Sequence, residues 1–173
     1  MIPPTFLLGG TMNWYVVDKN YINYLVKVDK RVGYVEYGGR LKLHIGILVT
    51  VNYLNYYVPI SSAKSKHHNM SNSIDFHKLI DEVTGELYAV ININNMIPVP
   101  KGQLVELNIN AEKDPHYKFL LQAENREINK QKCRIRKNAE IVYNHKRRNG
   151  NLTQLAKRTN DFEMLEKLSR DFW

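Results

Sequence analysis

The sequence predicts an α+β fold: a small, strongly curved antiparallel sheet decorated by helices at both ends. Three observations carry that expectation. Between residues 13 and 110, short apolar and aromatic runs alternate with turn residues, the pattern of successive strands. Asp18 precedes one amphipathic segment within this β portion, and from Asp114-Pro115 onward the chain is rich in helix formers.

Taken in order, Trp14 to Val17 read as a short strand of aromatic and β-branched residues. Asp18 caps a helix through Tyr21, Ile22, Tyr24, Leu25 and Val28, whose three- and four-residue spacings give one apolar face. Residues 33–39 form a loop or irregular ribbon leading to a strand over His44–Val49, in which Gly46 marks a bulge or a close approach. A turn at 52–55 separates it from Tyr56–Ile60, where Pro59 predicts a strand end or a sheet edge. Strands are further expected at 74–80, 87–93 and 104–109, with an irregular extended piece at 96–100. Leu121, Ile128, Ile135 and Val142 recur every seven residues, but Asn125, Lys132 and Ala139 interrupt a coiled-coil seam; this helix is expected to cross the sheet or break in two. Phe162, Leu165, Leu168 and Phe172 stripe the last helix. Residues 1–11 are expected to be a loose arm, with Met12 a second possible start, and residues 12–173 one domain: a β core over about 13–110 and helices over about 114–173.

Lys and Arg number 25 against 17 Asp and Glu, a net charge of +8 that favours a polyanionic partner such as nucleic acid. No run approaches the about 20 apolar residues of a membrane span, and the start lacks the basic head of a secretory signal. The single cysteine, Cys133, permits no internal disulfide, consistent with a cytoplasmic setting. His67 and His68 have no further ligand at metal-binding spacing, and phosphate-binding glycine loops and the GxSxG elbow are absent, so neither a metal nor a cofactor is expected.

An apolar strand pair that empties into Pro59-Ile60-Ser61-Ser62-Ala63-Lys64-Ser65-Lys66-His67-His68 places hydroxyls, lysines and imidazoles on a rigid scaffold. Lys42, just ahead of the preceding strand, either completes an anion site with this loop or guards a sheet edge. RNA carries its own nucleophile, the 2'-hydroxyl; a protein need only align it, remove its proton, neutralise phosphoryl charge and protonate the departing 5'-oxygen.

The run Lys42-Leu43-His44-Ile45-Gly46-Ile47 followed by Tyr57-Val58-Pro59-Ile60-Ser61-Ser62-Ala63-Lys64-Ser65-Lys66-His67 closely resembles the central signature of the ToxN/AbiQ endoribonuclease toxins of type III toxin–antitoxin systems. Asp18 to Leu25, Asn94 to Val99 and Leu165 to Phe172 add to the likeness, which spans about Asn13 to the C-terminus. The resemblance implies an SH3-like barrel related to the MazF/Kid toxins. It also implies sequence-selective, metal-independent RNA cleavage leaving 2',3'-cyclic phosphate and 5'-hydroxyl ends, growth inhibition and phage defence by abortive infection. The implied partner is a repetitive antitoxin RNA, cut by the toxin into pseudoknots that inhibit it within closed toxin–RNA assemblies.

The family's catalytic lysine falls on Lys42, its hydroxyl pair on Ser61 and Ser62, and its following lysine on Lys64. Where the family commonly shows Thr-Ser-Pro-Lys, this chain has Ser61-Ser62-Ala63-Lys64, which keeps the hydroxyls and loosens the loop. His44 and Lys66 are expected to depress a lysine base by crowding of charge, and with His67 to contact RNA. Tyr34, Tyr37 and Tyr57 either stack on bases or pack. Lys130, Lys132, Arg134, Arg136, Lys137, Lys146, Arg147 and Arg148 are assigned to antitoxin RNA. A non-catalytic RNA-binding module and a protein-binding adaptor remain alternatives.

Overall fold

The computed structural model describes residues 10–33, 36, 37 and 39–172. The expected loose arm, apart from Gly10 and Thr11, and the expected stacking residue Tyr34 lie outside them. Strand β1 (Asn13–Val17) leads to helix α1 (Lys19–Val28), whose first turn is capped by the Asp18 carboxylate accepting from the Tyr21 N–H at 3.0 Å. A two-stranded ribbon, β2 (Glu36–Tyr37) and β3 (Arg40–Leu41), precedes the long hairpin of β4 (Leu43–Val51) and β5 (Leu54–Ser62). Asn52 and Tyr53 form its two-residue turn, both with positive φ, as the twist of a tight hairpin requires.

Then follow β6 (Phe76–Ile80), β7 (Leu87–Asn92), β8 (Ile97–Val99) and β9 (Leu104–Glu106). Helices α2 (Pro115–Asn149), α3 (Gln154–Arg158) and α4 (Phe162–Asp171) complete the chain. Asp114 caps α2 with Pro115 at its first position, and the helix crosses the sheet without breaking.

The strands pair in the order β6-β7-β5-β4-β1-β9, all antiparallel, with β8 joined beside β5. Among the described residues, the edge strands β6 and β9 do not pair with each other. The sheet is therefore open, and the strongly curved, SH3-like barrel expected from the sequence is corrected. The physical reason lies in the strand pattern. Trp14, Tyr56 and Val58 pack on one face into the core that includes Leu121, Ile128, Ile135 and Val142 of α2, while Val17 and Tyr57 pack on the other against Tyr21 and Leu25 of α1 and Leu165 of α4. A barrel shields its apolar side by curling on itself; here helices cover both faces.

Pro59 is buried within β5 rather than at an end or an edge. It lies opposite His44 of β4, and on its other side falls between the segment paired with β8 (Asn55–Tyr57) and that paired with β7 (Ile60–Ser62), where its missing N–H breaks no ladder. Gly46 marks both expected features. The β4–β5 register shifts between Gly46 and Thr50, and a Cβ at Gly46 would stand 2.8 Å from Cε1 of Tyr57.

Candidate active site

The β4–β5 register, in which His44 faces Pro59 and Ile45 faces Val58, brings Lys42 opposite Ser61 when carried two residues further. Ser61 and Ser62 end β5, where they also pair with Val90 and Ala89 of β7. Ala63 and Lys64 then enter a short 3-10 turn, Ser65–Asn69. His67 holds that turn: its Nδ1 accepts from the Lys64 N–H at 3.0 Å, and its own N–H donates to the Lys64 carbonyl at 2.8 Å. Sheet register and one histidine thus set two lysines and two hydroxyls around a common cleft.

That cleft encloses about 390 Å³ between the β4–β5 end of the sheet and the first turns of α2. Lys42, Ser61, Ser62 and Lys64 all line it. Ser62 and Lys64 are exposed, Ser61 and Lys42 half-buried. Burial and the neighbouring Lys64 charge together hold the Lys42 amine below the usual lysine range. Since β4 lies between β1 and β5, Lys42 leads into the sheet interior, which removes the edge-guarding alternative.

Several expected contacts are corrected by burial. His44 is 5 % exposed, with Nδ1 3.3 Å from the Lys42 carbonyl oxygen; burial first and Lys42 second bring its pKa down to about 4, so it is neutral near pH 7 and does not crowd the lysine with charge. Lys64, not His44 or Lys66, is the charge that depresses Lys42. His67 is buried and its ring holds the loop, while Lys66 is exposed. Tyr57 is buried against Gly46 and meets Tyr15 edge-to-face, which excludes it as a stacking platform. Lys146 is buried too, donating to the Ala156 carbonyl and to Asn151 Oδ1, both at 2.8 Å, and so tying the end of α2 to α3.

The remaining cations divide by helix face. Lys130, Arg134 and Lys137 follow an i, i+4, i+7 spacing and are exposed; Lys130 pairs with Glu127 at 2.9 Å and Arg134 donates to Gln131. Lys132 and Arg136 turn to the other side and are half-buried, and the Arg136 guanidinium donates to the carbonyls of Ile47 and Gly10. Arg148 is exposed, and Arg147 pairs with Glu163 at 3.4 Å. Among the described residues, no three His, Cys, Asp or Glu side chains stand close enough together to hold a metal ion, and no helix is long and apolar enough to cross a membrane.

Sequence reasoning missed the α2 wall of the cleft. Tyr117, Leu120, Leu121 and Glu124 form one helical face there, Trp14 backs it from β1, and the Arg40 guanidinium lies 3.8 Å over the Tyr117 ring. The signal for Glu124 was present: it occupies the i+3 position from Leu121 on the stripe that continues through Ile128, a carboxyl where an apolar residue belongs. Glu124 is 5 % exposed, and burial pushes its carboxyl up to about 8.

An open antiparallel sheet between helices, offering two lysines and two hydroxyls at the rim of an apolar cleft, defines an α+β protein equipped to hold a phosphodiester. Residues 13–170 match the family described as toxin ToxN of type III toxin-antitoxin systems, and the chain belongs to that family. It is 29% identical over 119 residues to the endoribonuclease AbiQ of Lactococcus lactis subsp. lactis, covering 64% of this chain and 63% of that protein. To the endoribonuclease ToxN of Bacillus thuringiensis subsp. kurstaki it is 30% identical over 133 residues, covering 75% and 66%. The chain thus spans slightly less than two thirds of each of these relatives. The match to the endoribonuclease ToxN of Pectobacterium atrosepticum is 29% identical and covers 93% and 94%. A solved chain from a bacterial antiviral system regulated by a processed non-coding RNA superposes with a TM-score of 0.82 at 26% identity, over 92% of this chain and 98% of that one.

Proposed function

We propose that this protein is an endoribonuclease toxin that cleaves RNA by attack of the 2'-hydroxyl on the adjacent phosphate. The observation that carries this reading is the convergence of Lys42, Ser61, Ser62 and Lys64 on one cleft, with the Lys42 amine depressed by burial and by Lys64. A depressed amine is the better base at neutral pH. Lys42 takes the 2'-hydroxyl proton as the 2'-oxygen bonds to phosphorus. The bond to the 5'-oxygen breaks, and Lys64 donates the proton that oxygen needs. Ser62, exposed at the strand end, donates to a phosphoryl oxygen, with Ser61 beside it. The products carry 2',3'-cyclic phosphate and 5'-hydroxyl ends, and no step calls for a metal.

Family membership supports a wider setting: an antitoxin RNA that the protein processes, pseudoknot fragments that inhibit it in a closed assembly, and growth arrest that limits phage. In that assembly the exposed Lys130, Arg134 and Lys137 face of α2, with Arg148, supplies phosphate contacts whose affinity falls steeply with salt. The exposed Lys66 does the same on the turn that follows Lys64.

The test is cleavage of mixed-sequence RNA by RNA-free protein in excess chelator, with product ends mapped. Recurrent cuts bearing cyclic phosphate and 5'-hydroxyl ends are expected, slowed about 10²–10⁴-fold in Lys64→Ala. Intact RNA after incubation with folded protein overturns the reading and leaves a non-catalytic RNA-binding module.

A further inference from the structure

The interior of the cleft has chemistry that phosphodiester cleavage alone does not use. Its rim is cationic and hydroxylated, but its depth is walled by Trp14, Leu43, Ile60, Leu120 and Leu121. Against that apolar lining stands one carboxyl, Glu124, 95 % buried by its 5 % exposure, and no described group hydrogen-bonds it or pairs with it. Native proteins rarely bury a polar side chain without a partner, because the lost hydration is not returned. Glu127, one turn further along α2 and equally buried, shows the ordinary solution: it is paired with Lys130 at 2.9 Å. Glu124 keeps its hydrogen-bonding capacity for something that enters the cleft.

We propose that this cleft is a nucleobase pocket: the base next to the scissile phosphate inserts between the apolar walls, and Glu124 reads its hydrogen-bonding edge. The inference rests on the endoribonuclease reading and adds to it the part of the substrate that this cleft recognises. Single-stranded RNA is recognised through splayed-out bases held on apolar or aromatic surfaces and bonded along their edges. A volume of about 390 Å³ falls within the range of sites that enclose a small flat ligand, about 300–1,000 Å³. The Tyr117 ring, with Arg40 stacked over it, stands where a base enters. With its carboxyl pushed up to about 8, Glu124 is a neutral acid near pH 7, offering one donor and one acceptor side by side to an edge that presents the complement. The sugar and phosphate of the same nucleotide then lie at the rim with Lys42, Ser61, Ser62 and Lys64.

The experiment compares wild type, Glu124→Leu and Glu124→Gln on RNA randomised around one cut site, reading kcat/KM for each base at each position. Wild type is expected to prefer one base at a position flanking the cut. Glu124→Leu is expected to shrink that preference about ten- to hundredfold, the discrimination of a paired base-edge contact, while Glu124→Gln, which keeps a donor beside an acceptor, retains part of it. Unchanged preference in Glu124→Leu overturns the proposal, and so does an equal loss on all sequences, which marks a role in proton transfer or scaffolding. Dissociation constants of single-stranded oligonucleotides measured in a Lys64→Ala background read the same preference without cleavage. If wild type fails to cut RNA, the endoribonuclease reading falls; base-selective binding that depends on Glu124 still upholds the pocket, and its absence overturns it.

Discussion

Replacing Glu124 by glutamine exposes the buried carboxyl through stability alone, with no ligand present. In the unfolded chain the group titrates near 4.5, whereas in the folded protein burial pushes it up to about 8. The folded pKa is raised, so the native state holds the proton more tightly. The stability this contributes is full below the unfolded pKa and is lost as pH rises toward the folded one. The slope over that interval is about 1.4 kcal/mol per pH unit, and the whole interval amounts to on the order of 5 kcal/mol. At about 2–4 °C per kcal/mol for a chain of this size, wild type is expected to lose roughly 10–20 °C of Tm relative to Glu124→Gln. Thermal unfolding followed by circular dichroism from pH 5 to 9 reads this as the difference between the two Tm curves, in which shared titrations cancel. The variant should gain steadily on wild type up to about pH 8 and then level off. Parallel curves across that range would refute the account of Glu124 as a buried, unpartnered acid.

Three further outcomes follow from the same geometry. Lys64→Gln removes the charge that, after burial, depresses Lys42, so the pKa assigned to Lys42 in a pH–rate profile should move up; an unmoved limb in residual cleavage would separate the two lysines. Gly46→Ala drives a methyl into Cδ1 of the buried Tyr57 ring, and should cost about 1–3 kcal/mol of overpacking in denaturant unfolding; a variant as stable as wild type would mean the ring yields freely. Burial raises the Asp75 carboxyl, but the Arg158 guanidinium and the Ser73 hydroxyl outweigh it and hold it below its usual value. That stability is present above the unfolded pKa of 3.8 and lost as pH falls through the lower folded one. Arg158→Ala should therefore cost about 1.5–3 kcal/mol at neutral pH, a gap that closes in acid; a gap independent of pH would contradict the pairing.

The strands and helices were largely legible because their signals are local. Asp18 and Asp114-Pro115 announced their helices, and the seven-residue recurrence of Leu121, Ile128, Ile135 and Val142 marked the face that α2 buries. Pro59 was misread because a missing N–H signals an edge only if a neighbouring strand would otherwise bond there; here β8 ends before it and β7 begins after it. The residues of the loop that follows β5 were legible as a motif, but their roles were not all so. His67 and Lys146 look alike to composition as cationic surface, yet one caps a loop and the other fastens α3.

By itself the sequence determined the element types and the excess of positive charge, since each is written in residues near one another or in simple periodicity; it offered Lys42, Ser61, Ser62 and Lys64 as a set only through a family resemblance. Only the tertiary structure decided that the sheet stays open. Alternation tells which residues share a face; it does not tell whether that face meets its own sheet or a helix some sixty residues later. For the same reason the α2 wall of the cleft was invisible beforehand: Glu124 becomes a buried acid in the cleft that Lys42 also lines only when α2 packs across the sheet and takes the water away from it.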